Sequence, residues 1–185
     1  MKRLKSKLKY YLKNKNIIDI VLIGSFLKDK EKPRDIDIII IFTEKNYKII
    51  EELAFQIKEG LSEIVKNKEI HIEPIIIHNL FKEKIFSSIL HEGFSIKNNK
   101  YFSELTGFNA FSLFTFSLNN LSKIEKVKFS QALYGRKNNG LLYEEKGKPL
   151  GKGSFIVPIQ KQELFKEMLN KWKVKYKLNR TLIKD

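Results

Sequence analysis

Two short apolar runs stand near the start of the chain, Ile17-Ile18-Asp19-Ile20-Val21-Leu22-Ile23 and Ile38-Ile39-Ile40-Ile41-Phe42. Both are bounded and rich in β-branched side chains, so both predict buried strands. Ahead of them, Leu4, Leu8, Tyr11 and Leu12 share one helical face, while Lys2, Lys5, Lys9 and Lys13 lie elsewhere on the same amphipathic helix. After them, Thr43 is the expected N-cap of a helix over residues 44–66, with Ile49, Ile50, Leu53, Ile57, Leu61 and Ile64 as its buried stripe. A third strand is expected from Glu69 to Ile77, with Ile70 and Ile72 on one face and His71 and Glu73 on the other. The segment from Phe81 to Lys97 reads as a helix that closes at Glu92-Gly93, where the glycine can cap it.

The second half has a different texture. Phe111, Phe114 and Leu118 fit helical spacing, which favours a core or partner face over base stacking. Ser122 and Glu125 form a capping-box pattern at the head of a helix running to about Leu133. From Gly135 to Gly153, glycine and lysine dominate and predict turns and loops. Phe155-Ile156-Val157 reads as a strand and Gln162 to Asn170 as a short helix. At the end, Trp172, Val174, Tyr176 and Leu178 alternate with Lys171, Lys173, Lys175 and Lys177, a strand with a lysine face. That face suits contact with a phosphate backbone, and equally suits a charged edge strand that resists aggregation.

Composition narrows the options. A chain of 185 residues with 42% hydrophobic content supports one sizeable core, or one domain with a compact extension, and excludes a disordered chain. Cysteine is absent, which rules out disulfides and Cys-based zinc sites. The three histidines, His71, His78 and His91, argue against a His-rich metal centre. No apolar run approaches the roughly 20 residues of a membrane span, and the basic N-terminus lacks the apolar core of a signal peptide. No membrane partner and a cytoplasmic location are therefore expected. The net charge of +15 favours polyanions such as RNA or DNA. Heavy use of Lys, Ile and Asn is also what AT-rich coding produces, although codon bias alone does not create the excess of bases over acids.

Gly24-Ser25 ends the first apolar run and Asp35-Ile36-Asp37 opens the second. In a strand Asp35 and Asp37 project together, and two adjacent carboxylates resist ionising unless a cation sits between them. Magnesium takes hard oxygen ligands, commonly one or two carboxylates plus substrate phosphates. A glycine turn leaves room for those phosphates against backbone amides. An isolated Asp-x-Asp commonly just faces solvent, and an isolated Gly-Ser just marks a turn. Specificity comes from the two together, at this spacing, between two apolar strands.

The stretch IIDIVLIGSFLKDKEKPRDIDIIIIF resembles the nucleotidyltransferases of the DNA polymerase β superfamily, most closely their minimal, single-domain members. Those often follow Gly-Ser-aromatic with Ala-Arg-Gly. Here Phe26 is followed by Leu27-Lys28-Asp29, which keeps a basic position and loses the glycine. The resemblance implies an α+β fold, a small mixed β-sheet flanked by helices, over residues 1–100. A basic C-terminal α/β extension over 101–185 is left for nucleic-acid or partner binding.

It also implies a metal-dependent transfer of a nucleoside monophosphate from an NTP, with ATP expected, to an acceptor hydroxyl. Asp35 and Asp37 would hold Mg2+ or Mn2+. Glu73 would complete the acidic triad, with Glu69 the lesser candidate and a surface role beside Pro74 as the alternative. Gly24, Ser25, Lys28 and Arg34 would bind the triphosphate, with Lys30 and Lys32 adding positive charge. Arg136, Lys137, Lys173, Lys175 and Lys177 are the expected nucleic-acid contacts. The acceptor is expected on or beside RNA or DNA. An antitoxin-type adenylyltransferase acting on a partner protein is the first alternative, and a catalytically silent nucleic-acid-binding module the second.

Overall fold

The apolar runs pair with each other. The computed structural model describes residues 2–27, 35–65, 68–137 and 139–184. In it β1 (Ile17–Ile23) and β2 (Asp35–Phe42) are antiparallel, while β3 (Glu69–Ile76) joins β2 in parallel after a crossover through α2 (Tyr47–Ser62). Two short strands, β4 (Phe94–Ser95) and β5 (Lys100–Tyr101), extend the sheet beyond β1, giving a mixed five-stranded order β3-β2-β1-β4-β5.

Register sorts β2 into two buried faces. Ile36, Ile38 and Ile40 pack with Leu4 and Leu8 of α1 (Lys2–Tyr11) and with Ile50, Ile57 and Leu61 of α2. Ile39 and Ile41 lie on the opposite face with Val21, Ile23, Ile75, Leu80 and, from α3 (Phe86–Glu92), Ile89. Cover on both faces is why the run is continuously apolar rather than alternating. Asp35 and Asp37 belong to the α3 face by parity, at the N-terminal end of the strand.

Asp19 is a polar exception inside β1, only 4% exposed. It accepts hydrogen bonds from its neighbour Ile20 N–H (2.7 Å), from Ser95 Oγ, and from Lys97 N–H (3.1 Å). A buried carboxylate is tolerated when it is satisfied in this way, and this one ties the β4–β5 turn to β1.

Two expected boundaries move. The N-cap of α2 is Asn46, whose side chain accepts from Lys48 N–H at 3.1 Å, and not Thr43, whose hydroxyl donates to the Asn16 carbonyl at 3.3 Å. The expected helix from Phe81 to Lys97 is a 3-10 turn (Ile77–Lys82), then the short α3, then β4. Gly93 is no left-handed cap, since its φ is −71°. It is needed for close approach: a Cβ there would stand 2.5 Å from the Ile89 carbonyl oxygen and 2.9 Å from Val21 Cγ1.

The chain divides into two compact units, Met1–Thr106 and Gly107–Asp185. The first closes with α4 (Phe102–Leu105). The second is a four-stranded antiparallel sheet ordered β7-β8-β6-β9, from β6 (Phe108–Ser117), β7 (Lys148–Gly151), β8 (Ser154–Pro158) and β9 (Lys175–Lys184). Its helices are α5 (Lys123–Tyr134), α6 (Leu141–Glu144) and α7 (Gln162–Lys171).

Phe114, Phe129, Phe155 and Phe165 fill its core, with the Phe114 and Phe155 rings stacked at 5.1 Å. Phe111 and Phe114 are therefore strand residues of β6 and not helical ones. The capping box is present: Ser122 Oγ accepts from Glu125 N–H at 3.3 Å, and Glu125 Oε2 accepts from Ser122 N–H at 2.8 Å. The stretch expected to be mostly turn and loop between Gly135 and Gly153 also carries α6 and β7.

Candidate active site

The start of β2 carries the expected chemistry. Asp35 and Asp37 are half-buried, two residues apart on one face. In β1, Ile23 is the register partner of Asp37, so the turn that follows it, beginning with Gly24, falls beside the carboxylate. Gly24 has φ +83°, in the left-handed region that favours glycine, and a Cβ added to it would meet Asp37 Oδ2 at 2.5 Å. Only a residue without a side chain lets that backbone lie against the carboxylate. Ser25 then opens a 3-10 turn, Ser25–Leu27. Lys28 and Arg34, expected to meet the triphosphate, lie outside the described residues, as do Lys30 and Lys32.

Electrostatics at Asp37 reflects this crowding. Burial pushes its carboxyl above the ordinary aspartate range, the Asp35 charge and the Glu92 charge push the same way, and His71 pulls it partly back. Glu92, the last residue of α3, is only 7% exposed. The sequence marks it only as the partner of Gly93, and nothing in the local pattern announces that α3 aims it toward β2.

The parallel register decides what faces Asp37 from β3. Its partner is His71; Asp35 pairs with Glu69 and Ile39 with Glu73. A cavity of about 470 Å³ is lined by Asp37, His71 and Glu73 together with Ile23, Ile39 and Ile85. Glu73 is exposed and stands one pleat beyond Asp37. His71 Nε2 lies 3.6 Å from Glu69 Oε1. Among the described residues, no three His, Cys, Asp or Glu side chains converge closely enough to hold a metal ion by themselves. The structure thus brings Asp35, Asp37 and Gly24 together, sets His71 opposite, and leaves Glu73 exposed one pleat farther along β3 on the same cavity.

A divalent cation fits these residues. Two adjacent carboxylates supply hard oxygens, and their mutual repulsion is relieved by positive charge between them. Magnesium characteristically completes its shell with substrate phosphates and water, so a two-carboxylate site beside a bare glycine turn is adequate for it.

In the second unit, Arg136 and Lys137 are exposed in the bend after α5. Lys175 and Lys177 are exposed on β9, an edge strand of its sheet. Lys173 does not join them. It sits in the turn between α7 and β9 with φ +54°, its N–H donating to the Asn170 carbonyl and its own carbonyl accepting from Asn120 Nδ2 at 2.6 Å. The expected row of four lysines is therefore shorter by two, because Lys171 ends α7 and the chain reverses at Lys173 before the strand begins at Lys175.

The paired carboxylates and the glycine turn thus stand together at one end of a mixed sheet flanked by helices. The family comparison gives this fold a class. Residues 6–100 match the model for the polymerase β nucleotidyltransferase domain, and the chain belongs to that family. Comparison with curated proteins gave no match. The membership carries a nucleotidyltransferase-type function in general terms, and domains of this kind use nucleoside triphosphates and divalent metals. Among the described residues no helix is long and apolar enough to cross a membrane.

Proposed function

We propose that the chain is a metal-dependent nucleotidyltransferase that moves a nucleoside monophosphate from an NTP, ATP in the first instance, to an acceptor hydroxyl on or beside a nucleic acid. The observation that carries this reading is the contact of Asp37 with the Cβ-less face of Gly24, which leaves backbone and carboxylate side by side at a strand start.

In this reading Asp35 and Asp37 hold the cation. Bound there, it supplies charge neutralisation on the phosphates and eases deprotonation of the acceptor hydroxyl. The Gly24-Ser25 turn gives the triphosphate bare backbone to rest on, with Lys28 and Arg34 adding positive charge. Buried Glu92 adds negative charge felt at Asp37, which strengthens cation retention. His71 and Glu73 line the cavity in front of Asp37 and orient the acceptor, His71 being the nearer by register. The +15 charge supports a polyanionic acceptor. Arg136, Lys137, Lys175 and Lys177 supply a phosphate-contacting surface on the second unit.

The test is incubation of the purified chain with each α-labelled NTP and magnesium, with and without total RNA, beside an Asp35→Asn/Asp37→Asn variant. Label appearing in RNA and vanishing in the variant supports the reading. Label on a protein alone shifts the acceptor to a partner polypeptide. No transfer from any NTP removes the catalytic function.

A further inference from the structure

A second concavity lies on the other face of the sheet. It is a groove of about 1110 Å³ whose wall includes Arg3, Lys7 and Tyr10 of α1, Phe26, Ile36 and Lys68. Ile36 lies between Asp35 and Asp37 in sequence and points to the opposite side, so the groove backs onto the same end of β2 without sharing the carboxylates.

Two features of its wall specify a ligand. The first is aromatic surface paired with cations. Tyr10 is 61% exposed and has the ammonium groups of Lys7, in the wall, and Lys13, outside it, over its ring at 5.9 and 5.6 Å from the centroid. Lys68 Nζ stands 5.9 Å from the Phe26 centroid. The second is charge: three cations, Arg3, Lys7 and Lys68, against one acid, Glu63, among the described wall residues.

Flat rings with ammonium groups beside them suit a ligand that alternates π-faces with negative charge, which is unpaired bases on a phosphate backbone. A duplex keeps its bases stacked on each other and offers no face to Tyr10. The volume is at the upper end of single small-molecule sites, leaving room for more than one nucleotide.

We infer that this groove binds single-stranded nucleic acid. It deepens the proposed function and rests on it only for the notion that the bound strand is the acceptor; binding itself stands apart from transfer.

The experiment is fluorescence anisotropy of a labelled 12-nucleotide single-stranded RNA on the full-length chain, without NTP or added metal, against the matching duplex. Tyr10→Ala, a change at an exposed residue whose retained fold is checked by thermal unfolding, is expected to weaken single-strand binding about 5- to 150-fold, the range for loss of one stacked base. Lys7→Ala is expected to weaken binding and flatten its salt dependence. Lys175→Ala/Lys177→Ala is expected to leave the Tyr10 effect intact.

Wild-type affinity in both Tyr10→Ala and Lys7→Ala overturns the inference. So does duplex binding that is equally tight and equally sensitive to Tyr10, or competition by polyglutamate as effective as by RNA. Loss of label transfer with groove binding intact counts against the catalytic reading alone. Normal binding by the groove variants counts against the groove alone.

Discussion

Two residues govern the carboxylate site, and each makes a distinct prediction. Gly24 is needed both for its φ of +83° and for the space that Asp37 Oδ2 occupies. Gly24→Ala must strain the turn or displace the carboxylate, and a site held in such a backbone region costs of order 1–3 kcal/mol. A lowered thermal midpoint together with loss of transfer is expected, and full activity with unchanged stability would count against the contact.

Asp37 has a folded pKa raised by burial, then by Asp35 and Glu92. A raised carboxyl binds its proton more tightly in the fold than in the unfolded chain. Stability therefore falls as pH climbs from the ordinary aspartate value through the folded one. In metal-free buffer at neutral pH, Asp37→Asn is expected to be more stable than the parent, by no more than about 1 kcal/mol because solvent screens a half-exposed group. Magnesium should stabilise the parent and not the variant. Calorimetric melts with and without the ion check both signs.

At the scale of elements, caps and close approaches are the adjustable parts. The reciprocal Ser122–Glu125 bonds fix the start of α5, whose Phe129 and Leu133 reach the core of the second unit. Ser122→Ala is expected to cost about 1 kcal/mol, read as a shift in the denaturant midpoint at unchanged slope.

The strands of the first unit were legible because β-branched runs buried on both faces have no amphipathic helical alternative of that length. Gly24-Ser25 and Asp35-x-Asp37 were legible because i, i+2 parity follows from the strand alone. What stayed hidden depends on pairing. Whether His71 or Glu73 faces Asp37 is decided by the parallel register, which no local pattern encodes. Phe111, Phe114 and Leu118 satisfy helical spacing by coincidence, and only the alternation of buried Ala110, Ser112 and Phe114 with half-buried Phe111 and Leu113 in β6 reveals the period of two. Lys173 looked like a strand residue because alternation continues through a turn whose positive φ leaves no mark in the sequence.

At the scale of the whole molecule, charge is the dominant property. A chain carrying +15 meets polyanions through many weak contacts, and its affinity for them must depend on salt. If Arg3, Lys7 and Lys68 alone each neutralise one phosphate of a single strand, a fourfold rise in salt weakens binding roughly 20-fold. A titration between low and physiological salt is expected to show at least that loss. A flat profile would mean that the lysines are solvated surface. Polymerase β family membership over residues 6–100 leaves the second unit free to take a role of its own.

The parallel pairing of β2 with β3 also bears on how the molecule is made. A hairpin such as β1–β2 closes over a short connection, whereas the parallel partner must return through the whole of α2 before its first contact forms. Closing the longer loop carries the greater entropic cost, so non-local pairs of this kind form late. Asp35 and Asp37 are thus aligned by their own strand, while the wall that faces them forms only once the longer loop through α2 has closed. A nascent or partly unfolded chain would carry the two carboxylates without the cavity, and so could capture a cation before it could discriminate an acceptor.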